Sequence, residues 1–356
     1  VSEYFRLSAR DLKIVAVVSV VLAVLGGMIY RVARHQWPDR FKQQQMLWST
    51  DEKTQKLFQF VVNLGKQNKV KTDGNSLPPI PECNYQTIMD DLEKKTNEFK
   101  IEFVKHSLKS CRFSNILCPS DTRVEVPGFS QGEDSTDAIY LHANYVTFED
   151  QKFIATQYPV EEATPLFWMA CQQSSLILDL TNKKDKMLLT YYPENINDPL
   201  NCGEFNVSLT QVQPIKAIDK TTLYLYHIKG THDGKVIDFF TSRIHYEAWG
   251  DHKGLNEDDL DKILEIIDCL RKEYPNLPVI VHCRAGQGRT GTVIVADALK
   301  QLILQKKINP SNLMEETQRL ILDGRRQRGP NFVQEADQLG TIHKLGWALL
   351  HRKPAS

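Results

Sequence analysis

Cys283 and Arg289 are separated by five residues in Val281-His282-Cys283-Arg284-Ala285-Gly286-Gln287-Gly288-Arg289-Thr290-Gly291, and every residue type there has a chemical use. A thiolate is a strong nucleophile, and a cysteine in a field of N–H groups and positive charge sits as thiolate at neutral pH. Gly286, Gly288 and Gly291 permit the tight curvature of a loop whose amides point inward. Arg289 offers a planar fork that grips two oxygens of a phosphate. Thr290 adds a hydroxyl able to donate to the sulfur and ease its departure. This set suits attack by a thiolate on a phosphate ester, with Arg284, Ala285, Gly286, Gln287, Gly288 and Arg289 around the phosphate.

Two flanking elements must hold such a loop. Pro278-Val279-Ile280-Val281 reads as a buried strand ending at the cysteine, and the apolar run Thr292–Leu299 as the helix that follows. A helix beginning there aims its positive end at the anion.

The chain has 356 residues, no net formal charge and 25% charged residues, so no bulk field points to nucleic acid. Its seven cysteines are odd in number and scattered without Cys-x-x-Cys. They suggest neither a disulfide framework nor a zinc site, and free thiols favour a reducing compartment. Residues 14–30 are apolar and uncharged, with basic residues on both sides (1–13 and 31–42). They read as a single-pass membrane helix at the short limit for a bilayer, with a secretory signal as the competing reading. The charge bias and the thiols place the catalytic part in the cytoplasm. A bacterial source would make a secreted effector the alternative. Residues 31–83 read as a juxtamembrane linker.

From residue 84 to about 350 the chain alternates helical and strand-like segments. Helices are expected at 87–105, 256–273, 292–305, 312–322 and 331–349, and strands at 138–145, 152–155, 176–179, 188–192, 222–228 and 237–246. That mixture predicts an α/β or α+β domain.

The Cys283 segment resembles the active-site signature of the cysteine-dependent protein tyrosine phosphatases, His-Cys-x-x-Gly-x-x-Arg-Ser/Thr-Gly, at every fixed position. Phe153–Pro159 and Phe167-Trp168 are similar to two further motifs of that family, which are expected to pack beneath the loop. The resemblance implies a central, mixed, highly twisted sheet flanked by helices, no metal and no cofactor. It also implies an acid on a mobile Trp-Pro-Asp loop. The matching stretch here is Trp249-Gly250-Asp251, which makes Asp251 the general acid and substitutes glycine for the proline that would stiffen the loop. A literal Trp37-Pro38-Asp39 lies beside the apolar segment, outside the domain. Residues 331–339 resemble the glutamine loop, so Gln334 would position the hydrolytic water, with Gln338 as the second candidate. His282 is expected to order the loop.

The match loosens at the substrate wall. Phe113 stands where the family has a tyrosine that stacks on the substrate ring, and Asn115 where it has an aspartate that clamps the peptide backbone. The expected function is hydrolysis of phosphotyrosine proteins through a phosphocysteine intermediate. The alternatives are a phosphoinositide phosphatase, suggested by Arg284 and the apolar segment, and a catalytically weak phosphotyrosine-binding protein, suggested by Gly250 and Asn115.

Overall fold

The computed structural model describes Phe60 and residues 78–129, 138–182, 188–250 and 253–352. The apolar segment 14–30, nearly all of the 31–83 linker and Asp251 lie outside the described residues. Among those described, no helix is long and apolar enough to cross a membrane.

The domain opens with helix α1 (Tyr85–Asn97), capped by Asn84, whose side chain accepts from Thr87 N–H at 3.1 Å. Strands β1 (Ala143–Phe148) and β2 (Gln151–Thr156) form a hairpin, and helix α2 (Thr164–Cys171) and β3 (Leu176–Asp179) follow. Next come β4 (Leu200–Asn201), β5 (Phe205–Pro214), β6 (Thr221–His232) and β7 (Lys235–Tyr246). Helix α3 (Glu257–Glu273), strand β8 (Val279–His282) and helices α4 (Gly288–Leu304), α5 (Leu313–Arg328) and α6 (Ala336–His351) complete it.

These strands build one mixed sheet in the order β1-β2-β8-β3-β7-β6-β5-β4. β8 lies parallel between β2 and β3, and β3 pairs parallel with β7, while the remaining neighbours are antiparallel. A strand flanked on both sides and covered on both faces is apolar along nearly all its length. β8 shows this directly: Val279 and Val281 enter the core shared with α3, α4, α5 and α6, and Ile280 enters the core shared with α2. The chain leaves the carboxyl end of β8 into the Cys283 loop. In open α/β sheets that end is where ligands bind.

Several expected boundaries move. Helix α1 stops at Asn97 rather than 105, because Val104 N–H is bonded to Cys118 O (2.8 Å) and Phe103 bridges Pro119. The strand expected at 138–145 begins at Ala143 and runs to Phe148. Residues 188–192 are not a strand: Tyr191 and Tyr192 pack instead around the buried Arg243 guanidinium. β5 was not expected, although Phe205, Val207 and Leu209 alternate inward. α6 begins at Ala336, five residues late, since Phe332 and Val333 are buried in the preceding turn. Helix α3 falls on the expected 256–273 span and is capped by Asn256, whose side chain accepts from Asp258 and Asp259 N–H, with three acids in the first turn.

Candidate active site

Cys283 follows directly on β8 and is only 3% exposed. Burial by itself raises a thiol's pKa. Here the Arg289 charge, the Thr290 hydroxyl dipole and the backbone N–H groups of Thr290 and Gln287 outweigh it, so the Cys283 thiol is held below its ordinary value. Those amides belong to the first turn of α4, so the same helix end that would bind an oxyanion also favours the thiolate. The Thr290 hydroxyl is fully buried and faces the Cys283 sulfur, to which it can donate.

Arg289 is buried and directed by two carbonyls: its Nη1 donates to Leu180 O (2.8 Å) and Trp249 O (3.3 Å). Trp249 is itself buried and donates through Nε1 to Lys253 O at 2.7 Å. The guanidinium is thus tied to the stem of the segment that carries Asp251, and the two ends of that segment are tied to each other. A Cβ at Gly250 would meet nothing closer than the flexible Lys253 side chain at 3.3 Å, so packing does not require glycine there.

Beneath the loop, His282 is fully buried with Nε2 2.8 Å from Tyr191 OH. Burial pushes its pKa down to about 4, with the Asp179 charge opposing and Arg243 assisting. The imidazole is sequestered beneath the loop against Tyr191 and is not placed to take a proton from a ligand. Phe167 of α2 meets the His282 ring edge-on at 5.9 Å, and Trp168 donates to Tyr191 O (2.9 Å). Both aromatic residues do pack under the loop.

Gly286 has φ +71, and a Cβ there would collide with the Thr156 carbonyl at the end of β2. Gly291 lets α4 approach the Val333 backbone, where a Cβ would lie 2.5 Å from Val333 N. We predict that Gly286→Ala costs about 2–4 kcal/mol from positive-φ strain and overpacking together. It should also lower turnover at least about a hundredfold, since misplaced reacting groups cost that much. Denaturant midpoints and steady-state rates check both; an unchanged rate would mean the loop tolerates a side chain at this bend.

The loop's curvature has an anchor that sequence reasoning missed. Arg328, at the end of α5, is fully buried and donates from Nε to Gly286 O (3.0 Å) and from Nη2 to Ala285 O (3.3 Å). Its Nη1 donates to Asn144 Oδ1 (2.7 Å), and Nη2 faces His142 Nδ1 at 3.1 Å. Pulling the carbonyls of residues 285 and 286 outward leaves the opposite side of each peptide facing the anion site. Nothing in Arg325-Arg326-Gln327-Arg328 distinguishes this cation from a solvated helix end, apart from the Gly329-Pro330 break after it.

The remaining expected residues divide. Phe113 is half-buried, and the Arg284 guanidinium lies 5.3 Å from its ring centre; Asn115 is exposed nearby. The Gln287 side chain is buried beside Gly329, and its carboxamide has no hydrogen-bond partner among the described residues. Its contribution to the loop is therefore its backbone amide. Gln334 is exposed and free to reach a ligand, with its N–H bonded to Gln338 Oε1 (2.9 Å). Gln338, the second candidate, is buried: its Oε1 completes the capping box of α6 with Glu335, and its carboxamide lies against Gly288 of the Cys283 loop.

The sequence model of the family described as Protein-tyrosine phosphatase matches residues 107–346. Among curated proteins, tyrosine-protein phosphatase 3 of Schizosaccharomyces pombe is 28% identical over 246 residues, which is 63% of this chain and 77% of that protein. Tyrosine-protein phosphatase non-receptor type 12 of Homo sapiens is 26% identical over 67% of this chain and 30% of that protein. The type 18 protein of Mus musculus is 28% identical over 64% of this chain and 49% of that protein. The match thus spans less than half of either mammalian relative. Among solved structures, PTPN18 in complex with HER2-pY1196 phosphor-peptides superposes with a TM-score of 0.61 at 21% identity, covering 75% of this chain and 93% of that one. That likeness carries the fold.

Proposed function

Since the chain belongs to the protein-tyrosine phosphatase family, we propose that it hydrolyses phosphotyrosine in proteins through a phosphocysteine intermediate. The observation that carries this reading is the Cys283 thiol, buried, held below its ordinary pKa by Arg289 and the α4 amides, and seated in a loop shaped for an oxyanion. The Cys283 sulfur attacks phosphorus as the bond to the tyrosyl oxygen breaks, and Asp251 gives its proton to that oxygen. Arg289 and the inward amides hold the three non-bridging oxygens as charge redistributes. Water, positioned by Gln334 and deprotonated by Asp251, then attacks phosphorus. Phosphate leaves, and the Thr290 dipole eases the return of negative charge to sulfur. The partners would be phosphotyrosine proteins; the phosphopeptide complex of PTPN18 supports that class. Residues 14–30 would tether the domain to a membrane with its catalytic face in the cytoplasm.

The test is turnover by the full-length chain on phosphotyrosine peptides and on phosphoinositide vesicles. Asp251→Ala should lower kcat on peptides by about 10²–10⁴-fold, and least for substrates whose leaving group needs no proton, such as p-nitrophenyl phosphate. An equal loss on both substrates would remove Asp251 from the acid role. Faster turnover of the lipid would overturn the protein-substrate reading.

A further inference from the structure

Asp179 ends strand β3 after three apolar residues, and it is fully buried. A carboxylate there is costly unless it is paired and hydrogen-bonded. Its Oδ2 accepts from Arg243 Nη1 at 3.0 Å, and that guanidinium, also fully buried, lies 3.5 Å from the centre of the Tyr192 ring. Its Oδ1 accepts from the Thr181 N–H (2.9 Å) and from the Thr181 hydroxyl (2.6 Å). A side chain that accepts from the N–H two residues on closes a local turn. The carboxylate thus bends the chain at Leu180, directly after the strand ends.

The backbone groups of that bend hold three parts of the candidate site. Leu180 N–H donates to the carbonyl of His282, the residue before the nucleophile, at 2.9 Å. Leu180 O accepts from Arg289 Nη1 at 2.8 Å, shorter than the 3.3 Å contact of that nitrogen with Trp249 O. Thr181 O lies 2.9 Å from Nε2 of His245, near the end of β7 and four residues before Trp249. The end of β8, the start of α4 and the end of β7 therefore meet on a turn whose direction the Asp179 carboxylate sets.

We propose that Asp179 is a positioning residue for the reaction at Cys283, setting the guanidinium of Arg289 through the turn at Leu180. The proposal rests on the phosphotyrosine reading above. A planar fork grips phosphate oxygens only at the correct angle, and Leu180 O fixes that angle from behind. An ion pair that merely filled the core could be exchanged for a neutral pair of similar size. An acceptor that closes the turn could not.

Two double variants of the full-length chain separate these roles. Both replace Arg243 by Met, so neither leaves a buried charge unpaired. Asp179→Val with Arg243→Met removes the acceptor for the Thr181 N–H and hydroxyl, and Asp179→Asn with Arg243→Met keeps one. The valine protein should lose about a hundredfold in kcat, equally on phosphotyrosine peptide and on p-nitrophenyl phosphate, because the phosphate is held alike in both. Its pH profile of Cys283 alkylation by iodoacetamide should move upward, since Arg289 is the charge that chiefly opposes burial at the thiol. The asparagine protein should recover most of the rate and the unsubstituted profile. Equal rates and profiles in the two proteins overturn the proposal and assign the pair to the core. A loss confined to the peptide also overturns it, because the effect then lies with the segment that carries the acid. Thr181→Ala covers a valine protein that does not fold, because it keeps the ion pair and deletes only the 2.6 Å bond. It should lower kcat up to about tenfold on both substrates and shift alkylation in the same direction; an unmoved rate and profile overturn the proposal. An unsubstituted chain that turns over neither substrate removes the phosphatase reading, and the alkylation profiles then decide the role of Asp179 by themselves.

Discussion

Cys283→Ser is expected to reduce phosphotyrosine turnover by at least about 10⁴-fold while leaving phosphopeptide binding measurable. The argument is electrostatic before it is chemical. The site lowers a thiol's pKa against burial by aiming Arg289, the Thr290 dipole and two helix-terminal amides at one atom. A serine hydroxyl starts so much higher that the same field leaves it protonated, and a neutral hydroxyl with no adjacent base is a poor nucleophile. His282 cannot serve as that base, being fully buried and facing Tyr191. The same reasoning fixes a pH dependence. A group whose folded pKa is depressed keeps its charge above that pKa and loses it as pH falls through it. Inactivation by iodoacetamide, which needs the thiolate, should therefore persist at pH values below the ordinary thiol range and fade only on further acidification. A profile centred on an ordinary free cysteine would contradict the field described above, and measurable turnover by the serine variant would show that another group attacks phosphorus.

The nucleophile, its arginine and the glycines were readable because they are contiguous: one strand, one turn and one helix supply them, and each residue type is forced by a local need. Gly286 is where this is clearest, since positive φ and the Thr156 carbonyl leave no room for a side chain. What could not be read is long-range. Arg328 reaches Asn144 and His142 across more than 180 positions, and no local pattern separates it from Arg326, which is exposed and pairs with Asp323. Gln338 was legible as a residue, while the bonds its Oε1 accepts from Gln334 and Glu335 N–H were not. The aromatic pair Tyr191-Tyr192 looked like a strand for a similar reason: its hydrophobic demand is met by the cation-π environment of Arg243 rather than by a ladder. β5 carries the ordinary two-residue alternation, but its second half, Thr210 to Pro214, faces solvent or is half-buried and dilutes the pattern.

Arg328→Met is the variant expected to separate loop geometry from loop composition, because it leaves every residue of the Cys283 segment in place. It deletes donors to four acceptors at once: the carbonyls of Ala285 and Gly286, Asn144 Oδ1 and His142 Nδ1. His142 is informative in its own right. Nε2 donates to Ile116 O (3.1 Å), which leaves Nδ1 as the acceptor for Arg328. Burial and the Arg328 charge together push the His142 pKa down to about 3. Each orphaned buried acceptor costs about 1–3 kcal/mol, partly relieved by water, so a net loss near 3 kcal/mol is expected in denaturant unfolding. Released carbonyls of residues 285 and 286 would let the peptides rotate and the amides turn away from the anion site, lowering kcat by about a hundredfold or more. Arg328→Lys should rescue little, since one ammonium cannot reach four acceptors spread around a planar fork. A purely structural arginine would lower stability alone. An arginine that holds the loop should also shift the pH profile of Cys283 alkylation upward, because the Gln287 and Thr290 amides would no longer converge on the sulfur. Loss of stability with an unmoved alkylation profile and an unmoved kcat would assign Arg328 to the core and leave the curvature of the loop to its glycines.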